Sequence, residues 1–313
     1  MRPFSFLADV CEVVTGPELA ERARRAEQMG YSTVILPDHL LGQLSPVAAL
    51  STVAAVTSTL RLSAFVLNND LRHPAVLAQD LASIDVLSGG RLDVAIGAGW
   101  NKPEYDAIGL RFDPTPVRQA RLAESITVLK GLFSGEPFSF AGEHYTITDY
   151  AAKPLPVQRP HPPFFIGGGG RRTLTLAGRE ADIVGLAPRI GPNRKLDVAS
   201  ITLAGTREKI DWVRAAAGDR FDSIEFNTYP SGWPVKVTDD LHGEARRVID
   251  ELRSRTGYEL TEQEVVDSPH MFIGSIDRLV EKFQQLREEL GISSVLLGDL
   301  DELAPVLERL AGS

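Results

Sequence analysis

The chain has 313 residues, 43% hydrophobic and 24% charged, the composition of a folded globular protein rather than a disordered one. A formal net charge of -9 opposes a phosphate backbone and argues against a nucleic-acid partner, because such binding rests on clustered Lys and Arg. The single cysteine, Cys11, excludes an internal disulfide and a thiolate metal cage, and fits a reducing compartment.

In chain order, the first apolar run, residues 3–8, reads as a strand. Asp9 and Glu12 stop it before it reaches the length of a signal-peptide core, so a cytoplasmic protein is expected. Further strands are predicted at residues 33–36, 60–67, 92–97, 163–166, 182–187, 223–228 and 293–297, several of them apolar throughout, as strands covered on both faces are. Helical spacing fills the intervals at about residues 17–29, 75–87, 172–181, 206–217 and 241–255. It also marks the stripes Leu122, Ile126, Leu129, Phe133 and Ile276, Leu279, Val280, Phe283, Leu286, Leu290. Helix ends are expected at Gly30, Gly131, Gly218 and Gly291. Residues 40–60 carry no charge and are long enough to cross a bilayer, yet Gln43, Pro46 and the hydroxyls at 45, 51, 52, 57, 58 and 59 dilute them. A buried helix opened by Ser45-Pro46, with Ser as cap, is expected there, and no membrane partner.

Alternating strands and helices predict parallel strands joined by helical crossovers. The fold class is therefore α/β, a (β/α)8 TIM barrel forming one domain over residues 1–313, with an open doubly wound sheet as the alternative. Two stretches interrupt the rhythm as insertions after strands 4 and 6. Residues 134–162 read as a hairpin, Phe138-Ser139-Phe140 against residues 144–147, followed by a proline-rich connector. Residues 188–200 form a loop long enough to serve as a lid or binding segment.

A barrel gathers its chemistry at the C-terminal ends of its strands. Strand two ends in Asp38-His39, a carboxylate beside a side chain able to exchange a proton near neutral pH. Strand four ends in Gly97-Ala98-Gly99-Trp100, where the glycines either admit a planar ligand or make a tight exit, and Trp100 is either packed wall or lid. This is not a dinucleotide fingerprint, because the third glycine is missing and no helix is expected within a few residues. Strand five runs through Gly167-Gly168-Gly169-Gly170-Arg171-Arg172-Thr173 into a helix, an anion seat built from backbone N–H groups and the helix dipole. Arg179, Arg189, Arg194 and Lys195 make that region locally basic. The six histidines lack zinc spacing, so His144, His161, His242 and His270 read as surface or packing residues. No Walker motif and no Gly-x-Ser-x-Gly elbow follows any strand. A phosphate-bearing planar ligand beside a proton-exchanging residue points to a redox cofactor.

Several segments, in this order and spacing, carry a resemblance. They are Asp38-His39, residues 72–76, residues 81–93 with Leu87-Ser88-Gly89-Gly90-Arg91-Leu92, Gly97 to Trp100 with Glu104-Tyr105, residues 140–145 and residues 162–168. The chain resembles the luciferase-like monooxygenases, in particular their coenzyme F420-dependent oxidoreductases. The resemblance implies a bacterial-luciferase-like barrel that binds F420, or FMN in its monooxygenase relatives. It assigns the cofactor to Asp38, Ala64, Phe65, Leu67, Ala98, Trp100 and Gly168, with the phosphate at Gly169, Gly170, Arg172 and Thr173. It implies a non-prolyl cis peptide at Ala64-Phe65, His39 as catalytic proton donor or acceptor, and a homodimer or higher homo-oligomer. The related sugar-phosphate dehydrogenases carry a carboxylate where this chain has Trp100, so their substrate is not carried over. Residues 188–200 and Tyr229-Pro230-Ser231-Gly232-Trp233 are expected to line the substrate pocket. A non-catalytic flavin-binding protein is a further alternative.

Overall fold

The structure, a computed structural model, describes residues 1–12, 15–40, 42–191, 195–231, 235–298 and 300–313. Arg194, Gly232 and Trp233, singled out above, lie outside the described residues. The barrel strands are β1 (Ser5–Asp9), β2 (Thr33–Leu36), β3 (Arg61–Ala64), β4 (Leu92–Gly97), β5 (Phe164–Gly168), β6 (Ile183–Leu186), β7 (Glu225–Thr228) and β8 (Ile292–Gly298). The helices are α1 (Gly16–Met29), α2 (Pro46–Val56), α3 (Pro74–Ser88), α4 (Lys102–Ala107), α5 (Thr115–Phe133) and α6 (Arg171–Glu180). They continue with α7 (Leu203–Ala217), α8 (Leu241–Thr256), α9 (Glu262–Asp267), α10 (Ile276–Leu290) and α11 (Ala304–Leu310). The strand order β3-β2-β1-β8-β7-β6-β5-β4, with β3 also paired to β4, closes a parallel (β/α)8 barrel and excludes the open sheet. Among the described residues, no helix is long and apolar enough to cross a membrane.

Three local expectations are corrected. The third strand stops at Ala64, still within the ladder and buried, and resumes as the short strand Leu67–Asn68. The cis peptide accordingly lies at Phe65-Val66, one bond later than expected. Gly131 does not end a helix; α5 runs on to Phe133, and Gly131 is needed because the Phe138 ring would lie 2.2 Å from any Cβ there. Ser45 does precede α2, with Pro46 in its first turn, but its side chain makes no capping hydrogen bond.

Residues 10–27 and 34–165 form one compact unit. Inside it, β3 and its continuation run beside β4, with Leu62 opposite Leu92 and Asn68 opposite Gly97. Arg91 fixes the end of α2. Its Nε donates to Ser88 O at 2.7 Å, one terminal nitrogen donates to Thr57 Oγ1 and Leu60 O, and the other donates to Ala54 O and Thr57 O. All five guanidinium donors are thereby used. Asp85, wholly buried in α3, accepts from the Val157 and Gln158 backbone N–H groups at 2.7 and 3.0 Å, which ties down the proline-rich connector. The hairpin is antiparallel, Phe138–Ala141 against Thr146–Tyr150, so its second strand begins two residues after the expected start. Glu124 of α5 holds its turn by accepting from the backbone N–H groups of Glu143, His144 and Tyr145 at 2.8, 2.9 and 3.1 Å.

Residues 1–9, 28–33 and 166–313 form the second unit. Side chains cap its helices: Thr202 accepts from Gly205 N, Asp240 from Gly243 N, and Thr261 with Glu264 makes a capping box. Val198, Ile201, Ala245, Val248, Leu252, Leu260, Val265 and Met271 pack into a cluster under α8 and α9. Lys209 of α7 is buried, donating to Ala187 O at 2.8 Å and to His270 Nε2 at 3.2 Å. With Nε2 accepting, the His270 Nδ1 proton faces Ser231 Oγ at 3.1 Å. His270 is therefore a packing residue, as expected, within a polar cluster that the sequence did not reveal.

Burial, reinforced by Arg189, pushes the Lys209 ammonium from 10.5 down to about 7. The unfolded chain then binds one more proton than the folded chain between about 7 and 10.5. Stability should therefore rise with pH across that window, by up to ~1.4 kcal/mol per pH unit. Urea midpoints at pH 7, 8 and 9 check this: they should climb in the native protein and climb less in Lys209→Met. A variant that climbs as steeply would contradict the assignment.

Candidate active site

β2 delivers Asp38 and His39 to its C-terminal end, and the two diverge at once. Asp38 is drawn into the framework, accepting from the Asn68 backbone N–H at 2.9 Å and from both terminal nitrogens of Arg72 at 2.5 and 3.0 Å. Its side chain is only 2% exposed. A carboxylate so committed holds the Leu67–Asn68 strand in place, and here it meets Arg72 and main chain. His39 stays 28% exposed, and its Nδ1 lies 2.9 Å from Oε1 of Glu104, a carboxylate only 3% exposed. Trp100 stands edge-on to the imidazole with ring centroids 5.7 Å apart, and is itself 68% exposed. At that exposure Trp100 is not part of the packed interior.

Glu104 reaches this position because α4 begins at Lys102, two residues after Trp100, where no nearby helix was expected. Asn101 precedes it and Pro103 occupies the first turn, a start that a six-residue helix shows only through its cap and proline. The glycines of strand four are explained by the protein's own packing. A Cβ at Gly97 would meet Val66 at 2.8 Å, and one at Gly99 would meet Tyr105 Oη at 2.0 Å. The Ala98 carbonyl accepts from Arg118 at 2.9 Å. Ala64 and Leu67 are buried, and the Phe65 ring lies 5.3 Å from that of Phe165. Among the residues assigned by resemblance in this unit, His39 and Trp100 therefore present accessible chemistry directly.

In the other unit, Gly170 immediately precedes α6. The three glycines assigned to the cofactor here differ in what surrounds them. A Cβ at Gly169 would strike the Pro188 carbonyl oxygen at 2.1 Å, and one at Gly168 would strike the Thr173 side chain at 2.6 Å. At Gly170 nothing lies within 4 Å. The protein itself thus supplies no reason for glycine at 170, while the α6 N-terminus, with Arg171 and Arg172 both exposed, suits an anion in that space. Arg189 contributes less than the sequence suggested, because it is paired with Asp197 at 2.7 Å and lies over the Trp212 ring. Among the described residues there is no His, Cys, Asp and Glu group able to hold a metal.

The family profile described as luciferase-like monooxygenase matches residues 11–199, more than half of the chain. The chain belongs to that family. The FMNH(2)-dependent dimethylsulfone monooxygenase of Pseudomonas putida is 39% identical to this luciferase-like protein over 198 residues, covering 63% of the chain and 50% of the relative. The F420-dependent glucose-6-phosphate dehydrogenase of Nakamurella multipartita is 35% identical over 181 residues, covering 53% of the chain and 51% of the relative. The luciferase-like chain thus spans about half the length of these curated relatives. The coenzyme F420-dependent tetrahydromethanopterin reductase of Methanopyrus kandleri shares the barrel, with a TM-score of 0.75, 19% identity and 98% coverage of both chains.

The glycine contrast in the luciferase-like anion turn makes a paired prediction. Gly169→Ala should destabilise the protein, since backbone cannot move aside for a methyl, whereas Gly170→Ala should keep the melting temperature and weaken phosphate-bearing ligands by ~10-fold. Thermal melts with and without FMN check both. Unchanged ligand affinity in Gly170→Ala would remove the turn from the binding site.

Proposed function

We propose that the protein is a coenzyme F420-dependent oxidoreductase, transferring a hydride between the deazaflavin and a small organic substrate, with His39 as proton donor or acceptor. The carrying observation is the His39 imidazole at the end of β2, with Nδ1 on buried Glu104 and the ring still accessible beside exposed Trp100. The bound deazaflavin supplies the hydride. Gly169, Gly170, Arg172 and Thr173 hold a phosphate at the α6 N-terminus with Gly168 beside them on the cofactor, and Asp38 holds the Leu67–Asn68 strand by accepting from the Asn68 backbone N–H while Arg72 pairs with it. Trp100 shields the imidazole from bulk water when substrate is present. The protein acts in the cytoplasm as a homodimer or higher homo-oligomer, without a nucleic-acid or membrane partner; its acidic charge supports the former exclusion.

A second reading keeps these residues and replaces F420 with reduced FMN and oxygen in a monooxygenation. It is favoured by the 39% identity to a relative described as FMNH(2)-dependent. Calorimetric titration with oxidised F420 and with FMN separates the two. Micromolar or tighter F420 binding, with FMN at least about tenfold weaker, together with anaerobic turnover, supports the hydride-transfer reading. The reverse preference, with product forming only when oxygen and reduced FMN are both present, supports the monooxygenase. Binding without turnover of any enone, imine or aldehyde would leave a flavin carrier.

A further inference from the structure

We propose that Glu104 is a positioning residue that fixes the tautomer of His39, so that Nε2 is the atom through which the proton passes. The inference rests on the reading of His39 as the proton-transfer group. A carboxylate only 3% exposed is stable when a donor meets it, and the donor within reach is His39 Nδ1 at 2.9 Å. The acceptor-only carboxylate requires the Nδ1 proton to point at Glu104, which leaves a lone pair on Nε2 in the neutral ring. Trp100, edge-on at 5.7 Å, limits rotation of the imidazole about that hydrogen bond. Among the described residues, no group forms a competing hydrogen bond with Nε2.

The proton balance follows. When substrate is reduced, imidazolium gives its Nε2 proton to the substrate heteroatom as hydride arrives at the adjacent carbon. The ring is left neutral, with its Nδ1 proton still on Glu104. In the oxidative direction, the neutral ring would take the substrate hydroxyl proton at Nε2, with oxidised deazaflavin, when bound, as the two-electron acceptor. Glu104 acts through His39 rather than on substrate or cofactor. The same helix carries Lys102 and Asp106, which pair with each other at 2.5 Å on the surface.

The test is 15N NMR of histidine-labelled apoprotein, with the His39 signals assigned by His39→Asn. Native protein should show Nδ1 protonated and Nε2 unprotonated in the neutral ring. Glu104→Leu should move the ring toward the opposite tautomer, and Glu104→Asp should retain the native pattern. In the loaded enzyme, Glu104→Leu should lower kcat by ~100-fold with KM changed far less, and Glu104→Asp should recover part of the loss. Should Glu104→Leu fail to fold, Glu104→Met serves, because it fills the space with a flexible chain that carries no oxygen to accept the Nδ1 proton. An unaltered tautomer signature without the carboxylate would overturn the positioning role. Native turnover in His39→Asn would instead overturn the proton-transfer reading beneath it, and with it any catalytic part for Glu104, while the apoprotein spectra would still report the pairing.

Discussion

Replacing His39 with Ala should cut turnover by ~100- to 10,000-fold, the range typical of a lost acid–base group, while leaving cofactor affinity largely intact. The separation is expected because the residues assigned to phosphate binding lie at the β5–α6 turn and the start of α6, whereas His39 follows β2. The imidazole contributes to the reaction through a proton rather than through ligand weight. Single-turnover kinetics alongside cofactor titration would check both halves of the expectation. Turnover at the native level in the variant would remove His39 from the mechanism, and a parallel collapse of binding would recast it as a cofactor contact.

Arg91→Ala should produce the largest loss of stability away from the site, about 3 kcal/mol or more. The side chain uses all five donors at once, and four of its acceptors are backbone carbonyls, two of them, Ala54 and Thr57, at the end of α2. Carbonyls at a helix terminus have no intrahelical partner, so removing the guanidinium leaves them to find water or go unpaired. Lysine offers three donors on one nitrogen and cannot reproduce a planar fork, so Arg91→Lys should recover only a minor share. Urea unfolding with tryptophan fluorescence checks this. A loss below about 1 kcal/mol would mean that solvent replaces the arginine readily.

The barrel was legible because its strands are short β-branched runs and its helices show single buried stripes, and both patterns survive without knowledge of contacts. What escaped the sequence was local and geometric. The break at Phe65-Val66 sits among good strand formers, so apolar patterning carries straight through it. Helix α4 is six residues long with a proline in its first turn, too short for a stripe to appear. Gly131 has the look of a helix end but answers to the Phe138 ring, a neighbour known only after folding. In the candidate site, His39 and the glycine-arginine turn stood out by residue type, whereas Glu104 entered only within a segment that carries the resemblance, with no role attached. Its importance lies in meeting a histidine 65 positions earlier, and one carboxylate among 42 acidic residues carries no sign of such a partner. Asp38 shows the converse, conspicuous beside His39 in sequence yet consumed by Arg72 in space.

The attachment of the hairpin to α5 has a consequence of a different kind. Glu124 grips residues 143–145 through their main-chain amides, which every amino acid except proline provides. The turn can therefore change its side chains at 143 and 144 while its anchor persists, provided that Glu124 stays and that Gly142, whose Cβ would lie 2.3 Å from that carboxylate, stays with it. A protein built this way can acquire new contacts along the hairpin by substitution alone, without redesigning the joint that holds it, and a grafted turn of equal length should dock on the same carboxylate.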